Sequence, residues 1–368
     1  MTNQKIRAIG AAVLVVLWSA LTLGAWFGQA EDISVSERRP LSQFPELSGS
    51  TLLSGKFMTS FEDYTLDQFP LRDTFRRVKS LFHYNILQQK DNNDIYIADG
   101  YAAKLEYPLN EGGVNNALKK LTYVYETYLR DSGSTVLSAV IPDKGYYLAG
   151  ENGYLTMDYE KLFAMVEEAM PWATYVDLTG SLDITDYYFT DTHWRQEKLL
   201  PTAQLLTDAL GVSAPRQEDY TATKVEKPFY GVYYGQAALP MDSEELYVME
   251  SQLLKDCTVY SMDEKKDTAV YNMEKLDSND LYDVFLSGPQ SLLRIENPNA
   301  ATDRELIVFR DSFGSSMVPL LVQDYAVVTV VDLRYLPSAA LGEYVEFHGQ
   351  DVLFLFSTLI LNTGSALK

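Results

Sequence analysis

Residues 305–316 read Glu-Leu-Ile-Val-Phe-Arg-Asp-Ser-Phe-Gly-Ser-Ser, an apolar run that passes directly into small polar residues. This pattern predicts a buried strand, a sharp turn and a helix over 315–322. Ser312 then lies in the turn, where its hydroxyl is exposed at the carboxyl edge of a sheet and nearby backbone amides can bind an oxyanion. A serine in this place also commonly caps a helix, so the segment alone leaves a nucleophile and a capping residue as alternatives.

Further apolar runs on both sides of this segment predict the rest of a sheet. We expect strands at 135–141, 173–178, 305–309, 326–331 and 351–356, separated by helices at 115–131, 159–169 and 196–210. Pro201 is expected to bend the last of these helices. Apolar strands that alternate with helices predict an α/β fold with a mainly parallel sheet covered by helices on both faces.

The remaining segments predict the domain organisation. Residues 31–56 are polar and rich in proline and glycine, which is typical of an extended lead-out. A single domain is expected over 57–368, beginning with two helices that are separated by a break near Phe69-Pro70. Within this domain, residues 213–300 predict a β-rich insertion, because they are less periodic and contain many tyrosines and short strand-like runs.

The N-terminus, residues 1–30, has the sequence of a membrane segment. Lys5 and Arg7 precede an uncharged run from Ala8 to Gly28, which is long enough to cross a hydrocarbon core of about 30 Å as a helix. Because the basic residues come before the run, the positive-inside rule predicts that everything after residue 30 is extracytoplasmic. Small residues at its end also suit a signal peptidase, so an uncleaved anchor in the cell membrane and a cleaved, secreted form are the alternatives.

Composition excludes several classes of protein. The chain has 46% hydrophobic and 22% charged residues, which is typical of a globular protein, and a formal net charge of −21. Removing the two positive charges of Lys5 and Arg7 from −21 leaves −23 for the part after residue 30, so nucleic acid is not expected as a partner. Cys257 is the single cysteine and there are three histidines, which excludes a disulfide framework and a structural zinc site; no metal or cofactor is expected.

A second motif, Tyr-Tyr-Phe-Thr-Asp-Thr-His-Trp at 187–194, contains an aspartate and a histidine one residue apart. Asp191 can accept a hydrogen bond from one imidazole nitrogen of His193 while the other nitrogen faces a nucleophile. The alternative is a structural histidine in a polar loop beside a packed tryptophan. His83 and His348 lie in a helical segment and in a turn, and we expect both of them to be structural.

The two motifs together resemble those of a known family. Thr-Asp-Thr-His-Trp at 190–194, followed by Arg-Asp-Ser-Phe-Gly at 310–314, is similar to the DHHW proteins of Gram-positive bacteria and to the related alginate O-acetylation proteins of the AlgX/AlgJ group. The resemblance spans about residues 37–357, and Thr192 departs from it, since the family name has a histidine there. Other similar segments, in the same order, are Glu37-Arg-Arg-Pro-Leu, Asp67-Gln-Phe-Pro-Leu-Arg, Ile141-Pro-Asp-Lys, Phe229-Tyr-Gly-Val-Tyr-Tyr and Asp332-Leu-Arg-Tyr.

This resemblance implies both a fold and an activity. The fold is expected to be SGNH-hydrolase-like with a rearranged strand order, and the triad to be Asp191, His193 and Ser312. Arg334 and Lys144 match family positions and are expected to be auxiliary or substrate-binding residues. The implied activity is transfer of an acetyl group through an acyl-serine to a polysaccharide, with a membrane-bound O-acyltransferase as donor partner. The alternatives are a carbohydrate esterase and an inactive glycan-binding or assembly protein.

The 26 tyrosines suggest where a glycan would bind, because aromatic faces pack on pyranose rings and the hydroxyl supplies a polar group. We expect this contact at the cluster Phe229, Tyr230, Tyr233 and Tyr234, with Tyr230 and Tyr233 as substrate-binding residues. The alternative for the same cluster is an ordinary half-buried β surface.

Overall fold

The computed structural model describes residues 3–368, which form two compact units. The first unit comprises the residues up to Asn92 together with Tyr234–Pro240. The second unit comprises Asn93–Tyr233 and Met241–Lys368, and it contains both sequence motifs. The domain boundaries expected at residues 30, 56 and 57 stay predictions.

The first unit begins with a long apolar helix. Its helices and strands are α1 (Asn3–Phe27), β1 (Ile33–Ser34), β2 (Arg39–Pro40), α2 (Gly49–Leu53), α3 (Lys56–Asp67), α4 (Arg72–Leu81), a π-helical turn (Phe82–Ile86) and β3 (Asp91–Asn92). Within Gln4–Phe27 an 18-residue window has a mean hydropathy of 2.1, so α1 is long and apolar enough, by length and composition, to cross a membrane. The predicted N-terminal apolar helix is therefore present.

Ion pairs hold the segment after α1 to the helices that follow it. Arg39 Nη2 lies 2.6 Å from Asp67 Oδ1, and Arg72 Nη1 lies 2.5 Å from Glu37 Oε2. The hydrogen bond from Arg39, opposed by partial burial, lowers the pKa of Asp67.

Residues 31–56 contain the strand pair β1 and β2 as well as helix α2, whereas the sequence predicts only an extended chain there. Helices α3 and α4 are separated at Pro70, as expected.

The second unit alternates strands and helices. Its strands are β4 (Ile95–Ala98), β5 (Tyr101–Lys104), β6 (Val136–Ile141), β7 (Thr174–Val176), β8 (Thr221–Lys224), β9 (Tyr247–Glu250), β10 (Thr258–Ser261), β11 (Lys266–Thr268), β12 (Leu292–Glu296), β13 (Glu305–Arg310), β14 (Val327–Val331) and β15 (Asp351–Ser357). Its α-helices are α5 (Glu111–Val124), α6 (Lys144–Leu148), α7 (Tyr159–Ala169), α8 (Leu200–Leu210), α10 (Gln252–Asp256), α11 (Gly314–Met317) and α12 (Thr358–Thr363), and α9 (Val232–Ala237) continues into Tyr234–Pro240. Shorter 3₁₀ or π-helical segments lie at 125–129, 179–181, 184–186, 196–198, 217–219, 273–277, 281–284, 318–321 and 338–343.

The central sheet has eight strands in the order β11-β10-β12-β14-β13-β15-β6-β7. The five strands from β14 to β7 run parallel to one another, whereas β12, β10 and β11 are antiparallel to their neighbours. The predicted mainly parallel sheet is therefore confirmed. Of the strands in the predicted insertion at 213–300, β10, β11 and β12 extend this same sheet, whereas β8 and β9 pair with each other in a separate two-stranded sheet.

Two apolar layers cover the sheet, one on each face. One layer includes buried residues of α8 and α11, and the other includes buried residues of α5 and α7. Strand β15 is buried along its whole length, which is the pattern of a central strand in a parallel sheet. Helices on both faces thus match the fold class expected from the sequence.

Two helices differ from their predicted form because of proline. Pro201 lies in the first turn of α8 and begins this helix after a 3₁₀ turn at Gln196–Lys198, so it does not bend a longer helix. The helix expected at 315–322 is α11, only four residues long, followed by a 3₁₀ turn that contains Pro319 in its first turn. In both places proline occupies a helix start, where its missing N–H costs no hydrogen bond.

Candidate active site

The structure brings the three predicted triad residues together. Nε2 of His193 lies 2.8 Å from Oγ of Ser312, and Nδ1 of His193 lies 2.6 Å from Oδ1 of Asp191. Asp191 is fully buried, His193 is nearly so, and Ser312 is half-buried at the end of β13. These distances are those of a hydrogen-bonded chain from carboxylate through imidazole to hydroxyl.

Asp191 is held by backbone donors as well as by the imidazole. Its Oδ1 accepts the His193 backbone N–H at 3.0 Å, and its Oδ2 accepts the Val232 backbone N–H at 2.8 Å. Hydrogen bonds to an ionised carboxylate favour the charged form and fix its orientation. Val232 lies within the predicted insertion, so this segment completes the surroundings of Asp191.

The imidazole ring is fixed by aromatic contacts. Tyr282 stacks on His193 with ring centroids 3.9 Å apart and planes 6° from parallel, and Phe313 packs against it at 4.8 Å. The hydroxyl of Tyr282 lies 2.7 Å from Oγ of Ser316, one turn beyond Ser312. Sequence reasoning did not single out Tyr282, since no local pattern distinguishes it from the other tyrosines of its segment.

Asp311 orders the turn that carries Ser312. Its Oδ1 accepts the Phe313 N–H at 3.0 Å, and its Oδ2 accepts the Ser357 N–H at 2.7 Å, which ties the ends of β13 and β15 together. The N–H groups of Gly314 and Ser315 donate to the Asp311 and Ser312 carbonyls. The amides after Ser312, expected to be available for an oxyanion, are therefore engaged within the turn.

An arginine pair lies behind the same turn. Asp332 Oδ2 is 3.1 Å from Nη1 of Arg310 and 2.6 Å from Nη2 of Arg334. Burial lowers the pKa of Arg310, against the opposing effect of Asp332. Arg334 keeps some exposed surface and stacks over the ring of Tyr335. Arg310 is thus structural, whereas the substrate-binding role expected for Arg334 stays a prediction.

Lys144 lies beneath the loop that carries Asp191. Its side chain is buried, and Nζ donates to the carbonyl of Tyr188 at 2.9 Å and to that of Phe189 at 3.4 Å. Burial lowers the pKa of Lys144 to about 7, although Glu244 and Asp191 favour its charged form. Lys144 thus supports the loop through these two carbonyls, and the auxiliary or substrate-binding role expected for it stays a prediction.

Glu244 holds the same loop from the side of the insertion. Its carboxylate accepts the N–H of Phe189 at 2.5 Å and both the N–H and the hydroxyl of Thr190, at 2.6 and 2.5 Å. Burial raises the pKa of Glu244, although these hydrogen bonds oppose the shift. The sequence around Glu244 carries no signal for this role, because its partners are distant in the chain.

The predicted aromatic cluster divides into buried and exposed residues. Phe229 and Tyr233 are buried, and the hydroxyl of Tyr233 lies 3.0 Å from Oγ1 of Thr192, the residue that departs from the family pattern. Tyr230 is 42% exposed. Of the two tyrosines expected to bind substrate, only Tyr230 therefore presents its ring to solvent.

Gly231 allows the insertion to approach the Asp191 loop. Its N–H donates to Oγ1 of Thr190 at 2.9 Å, and a Cβ at this position would lie far inside van der Waals contact with the backbone of Asp191. A glycine in a strand-like segment is the one sequence signal for such an approach.

We expect Gly231→Ala to displace Asp191 and to slow the reaction of Ser312 with a sulfonyl fluoride by about tenfold or more, because overpacking costs ~1–3 kcal/mol. Gly180→Ala is the matched control, since no atom lies within 4 Å of a Cβ there. Labelling rates are measured by intact-mass spectrometry. Equal rates in the Gly231 variant and the parent would mean that the close approach does not position Asp191.

We expect Lys144→Met to lower both the thermal midpoint and the Ser312 labelling rate, because the buried Tyr188 carbonyl loses its lysine donor, at about 1–3 kcal/mol for an unsatisfied group, whereas the Phe189 carbonyl keeps the Ala102 N–H. Lys120→Met, at an exposed position of α5, is the control and should match the parent. A Lys144 variant with a lower thermal midpoint but an unchanged labelling rate would mean that Lys144 stabilises the fold without positioning the loop that carries Asp191.

The sheet topology and this site together define an SGNH-hydrolase-like α/β protein, with serine after one parallel strand and Asp-x-His on a loop before a helix. The family model described as DHHW protein matches residues 175–331, which contain Asp191, His193 and Ser312. The resemblance to this family, given above from the sequence motifs, is therefore confirmed over this region.

Solved structures share this fold at low sequence identity. A DHHW family protein from Eubacterium siraeum is 21% identical, with a TM-score of 0.58. The match covers 75% of this chain and 94% of that chain. PatB1 of Bacillus cereus, solved with a sulfonyl adduct, is 16% identical, with a TM-score of 0.57 and coverages of 73% and 95%. The O-acetyltransferase domain of Pseudomonas putida AlgJ is 15% identical, with coverages of 73% and 92%, but its TM-score of 0.45 is too low to support an argument. A search of curated proteins gives no significant match.

Proposed function

We propose that this protein is a membrane-anchored, extracytoplasmic serine acyl-transfer enzyme that acetylates a polysaccharide through an acyl-serine intermediate. The observation that carries the proposal is the hydrogen-bonded chain Asp191–His193–Ser312, with distances of 2.6 and 2.8 Å. A serine that merely caps a helix needs neither an imidazole at its hydroxyl nor a buried carboxylate behind that imidazole. Three groups in this order are those that activate a hydroxyl for attack on an acyl carbon.

The proposed chemistry divides the residues by role. Nε2 of His193 takes the proton of the Ser312 hydroxyl as Oγ forms a bond to the acyl carbon of the donor. The same proton passes to the leaving group when the tetrahedral intermediate collapses to the acyl-serine. His193 then takes a proton from a sugar hydroxyl as its oxygen attacks the acyl carbon, and returns this proton to Oγ of Ser312 when the bond between Oγ and the acyl carbon breaks. Asp191 keeps Nδ1–H oriented and stabilises the imidazolium.

The resemblance to O-acetylation proteins favours a sugar hydroxyl over water as the acceptor. Water at the same step would make the protein a carbohydrate esterase. Helix α1 supports delivery at the membrane, because an anchored domain remains close to an acyl group exported by a membrane-bound O-acyltransferase. Lys5 and Arg7, at the start of α1 and before its apolar run, support an extracytoplasmic position for the residues after the helix.

Mass spectrometry of Ser312 tests the proposal. The full chain is incubated with 4-nitrophenyl acetate, and separately with a sulfonyl fluoride, because PatB1 was solved with a sulfonyl adduct. We expect an acetyl or a sulfonyl group on Ser312 and on no other serine. Release of 4-nitrophenolate that requires added oligosaccharide, with the acetyl group recovered on the oligosaccharide, supports transfer, whereas free acetate formed without any acceptor indicates the esterase. Glycan binding with an unmodified Ser312 would contradict an enzyme and leave the assembly protein.

A further inference from the structure

We propose that Phe189, Tyr101 and Tyr230 form an aromatic platform that binds a neutral or amino-sugar ring of the acceptor beside the triad. The proposal rests on the proposed function and names the substrate class of the same site. Phe189 and Tyr230 are exposed, at 38% and 42%, on two segments that also contact Asp191. Tyr230 was expected from the tyrosine pattern, whereas Phe189 was not.

Two neighbouring segments each present one exposed ring. Tyr188 and Phe229 are buried and pack edge to face at 4.9 Å, whereas the residues directly after them, Phe189 and Tyr230, are exposed. The segments are joined at Glu244, whose carboxylate accepts the Phe189 N–H and whose backbone pairs with Phe229. Since the buried pair faces the core, the exposed pair faces solvent.

Phe189 is held rigidly from below. Its N–H donates to Glu244, and its carbonyl accepts from the Ala102 N–H at 2.8 Å and from Lys144 Nζ. Its ring packs on Tyr101 with centroids 4.4 Å apart, tilted by 33°. A fixed aromatic face loses little conformational entropy on binding, which favours contact with the C–H face of a pyranose.

The platform lies in the chain next to the reacting groups. Phe189 precedes Asp191 by two residues, and one imidazole separates Asp191 from Ser312. Tyr230 directly precedes Gly231, which packs against the Asp191 backbone. A sugar on these rings is therefore a neighbour of the sugar whose hydroxyl would take the acyl group.

Charge around the platform favours an acceptor without carboxylates. Burial raises the pKa of Tyr101, the nearby Arg195 cation opposes this, and Glu244, Asp183 and Asp186 add smaller contributions to the rise. The residues after 30 carry −23 once Lys5 and Arg7 are removed from −21. A polyuronate would be repelled at low ionic strength, whereas a neutral or glucosamine-containing chain would not.

Binding is measured by calorimetry on the full chain in detergent micelles, in a Ser312→Ala background that prevents turnover. The probes are cellotetraose, a glucosamine tetramer and tetragalacturonate. We expect the first two to bind, and Phe189→Ala and Tyr230→Ala each to weaken binding about tenfold, the factor that corresponds to ~1.4 kcal/mol. Phe189→Leu keeps apolar volume without a flat face and should weaken binding likewise, whereas Phe189→Trp should retain it. Tyr260→Ala, at an equally exposed residue of β10, is the matched control and should bind as the background does.

The outcomes separate this proposal from the proposed function. The platform would be overturned if the Phe189→Ala and Tyr230→Ala variants bound as tightly as the Ser312→Ala background. It would also be overturned if tetragalacturonate bound more tightly than the other two probes at low salt, or if no probe bound at all. Labelling of Ser312 is measured independently in the chain that retains this serine. Loss of binding in the platform variants together with an unlabelled Ser312 would support a glycan site while contradicting the enzyme.

Discussion

Ser312→Ala is expected to abolish both labelling by sulfonyl fluoride and transfer of acetyl groups, with a fall in turnover of about 10³-fold or more. The substitution removes the oxygen that His193 Nε2 faces at 2.8 Å and hardly changes volume. Because Ser312 is half-buried in a turn that Asp311 holds independently, the thermal midpoint should stay close to that of the parent. Rates are measured with 4-nitrophenyl acetate and with an oligosaccharide acceptor.

Ser315→Ala is the control for this experiment, since Ser315 lies on the same short helix and has no part in the triad. Its rate should remain within a few-fold of the parent. Full activity in a folded Ser312→Ala protein would exclude Ser312 as the nucleophile and would return it to the capping role considered from the sequence.

Asp191→Asn is expected to lower turnover by about 10⁴-fold, the loss typical of a triad aspartate. In one amide orientation the NH₂ group meets the Val232 N–H, and in the other it meets Nδ1 and the backbone N–H of His193. Either donor-to-donor contact leaves a buried group without its acceptor. The second orientation also forces the imidazole into the wrong tautomer for proton removal from Ser312.

Rate profiles against pH distinguish this variant from His193→Gln. In Asp191→Asn the fall in rate toward acidic pH, the acidic limb of the profile, should persist at a lower overall rate, because His193 is still present to take up a proton. The limb should disappear from whatever rate remains in His193→Gln. An unchanged limb in both variants would assign the titration to another group and make the Asp191–His193 pair structural.

The sheet was accessible to sequence reasoning because its strands are apolar and continuous. Residues 351–357 are buried throughout, so their composition alone marks a central strand. The bend predicted at Pro201 is wrong, because a proline in a helical pattern can mark either a kink within a helix or the start of one. Here the 3₁₀ turn before α8 makes Pro201 part of the helix start, and the sequence does not specify that turn. The role of β10 in extending the sheet depends on pairing with β12, which its short alternating sequence does not specify.

The proximity of Asp191, His193 and Ser312 was predictable because two short motifs contain these residues. Their support was not, since it depends on contacts between distant segments. Lys144 matched a family position, but its burial beneath Tyr188 and Phe189 appears only when the loop is folded over it. Glu244 is 54 or 55 residues from the groups it binds, and nothing in its neighbours distinguishes it from a surface glutamate.

Chain connectivity makes the two hydrogen bonds of the triad unequal. Asp191 and His193 are separated by one residue, whereas Ser312 is 119 residues from His193. The first contact survives as long as one loop is intact, but the second requires closure of a long segment, at an entropic cost that the whole sheet must offset. Ser312 reactivity therefore reports on tertiary closure: under mild denaturant the nucleophile should separate from its base while the Asp–His pair and most backbone structure persist.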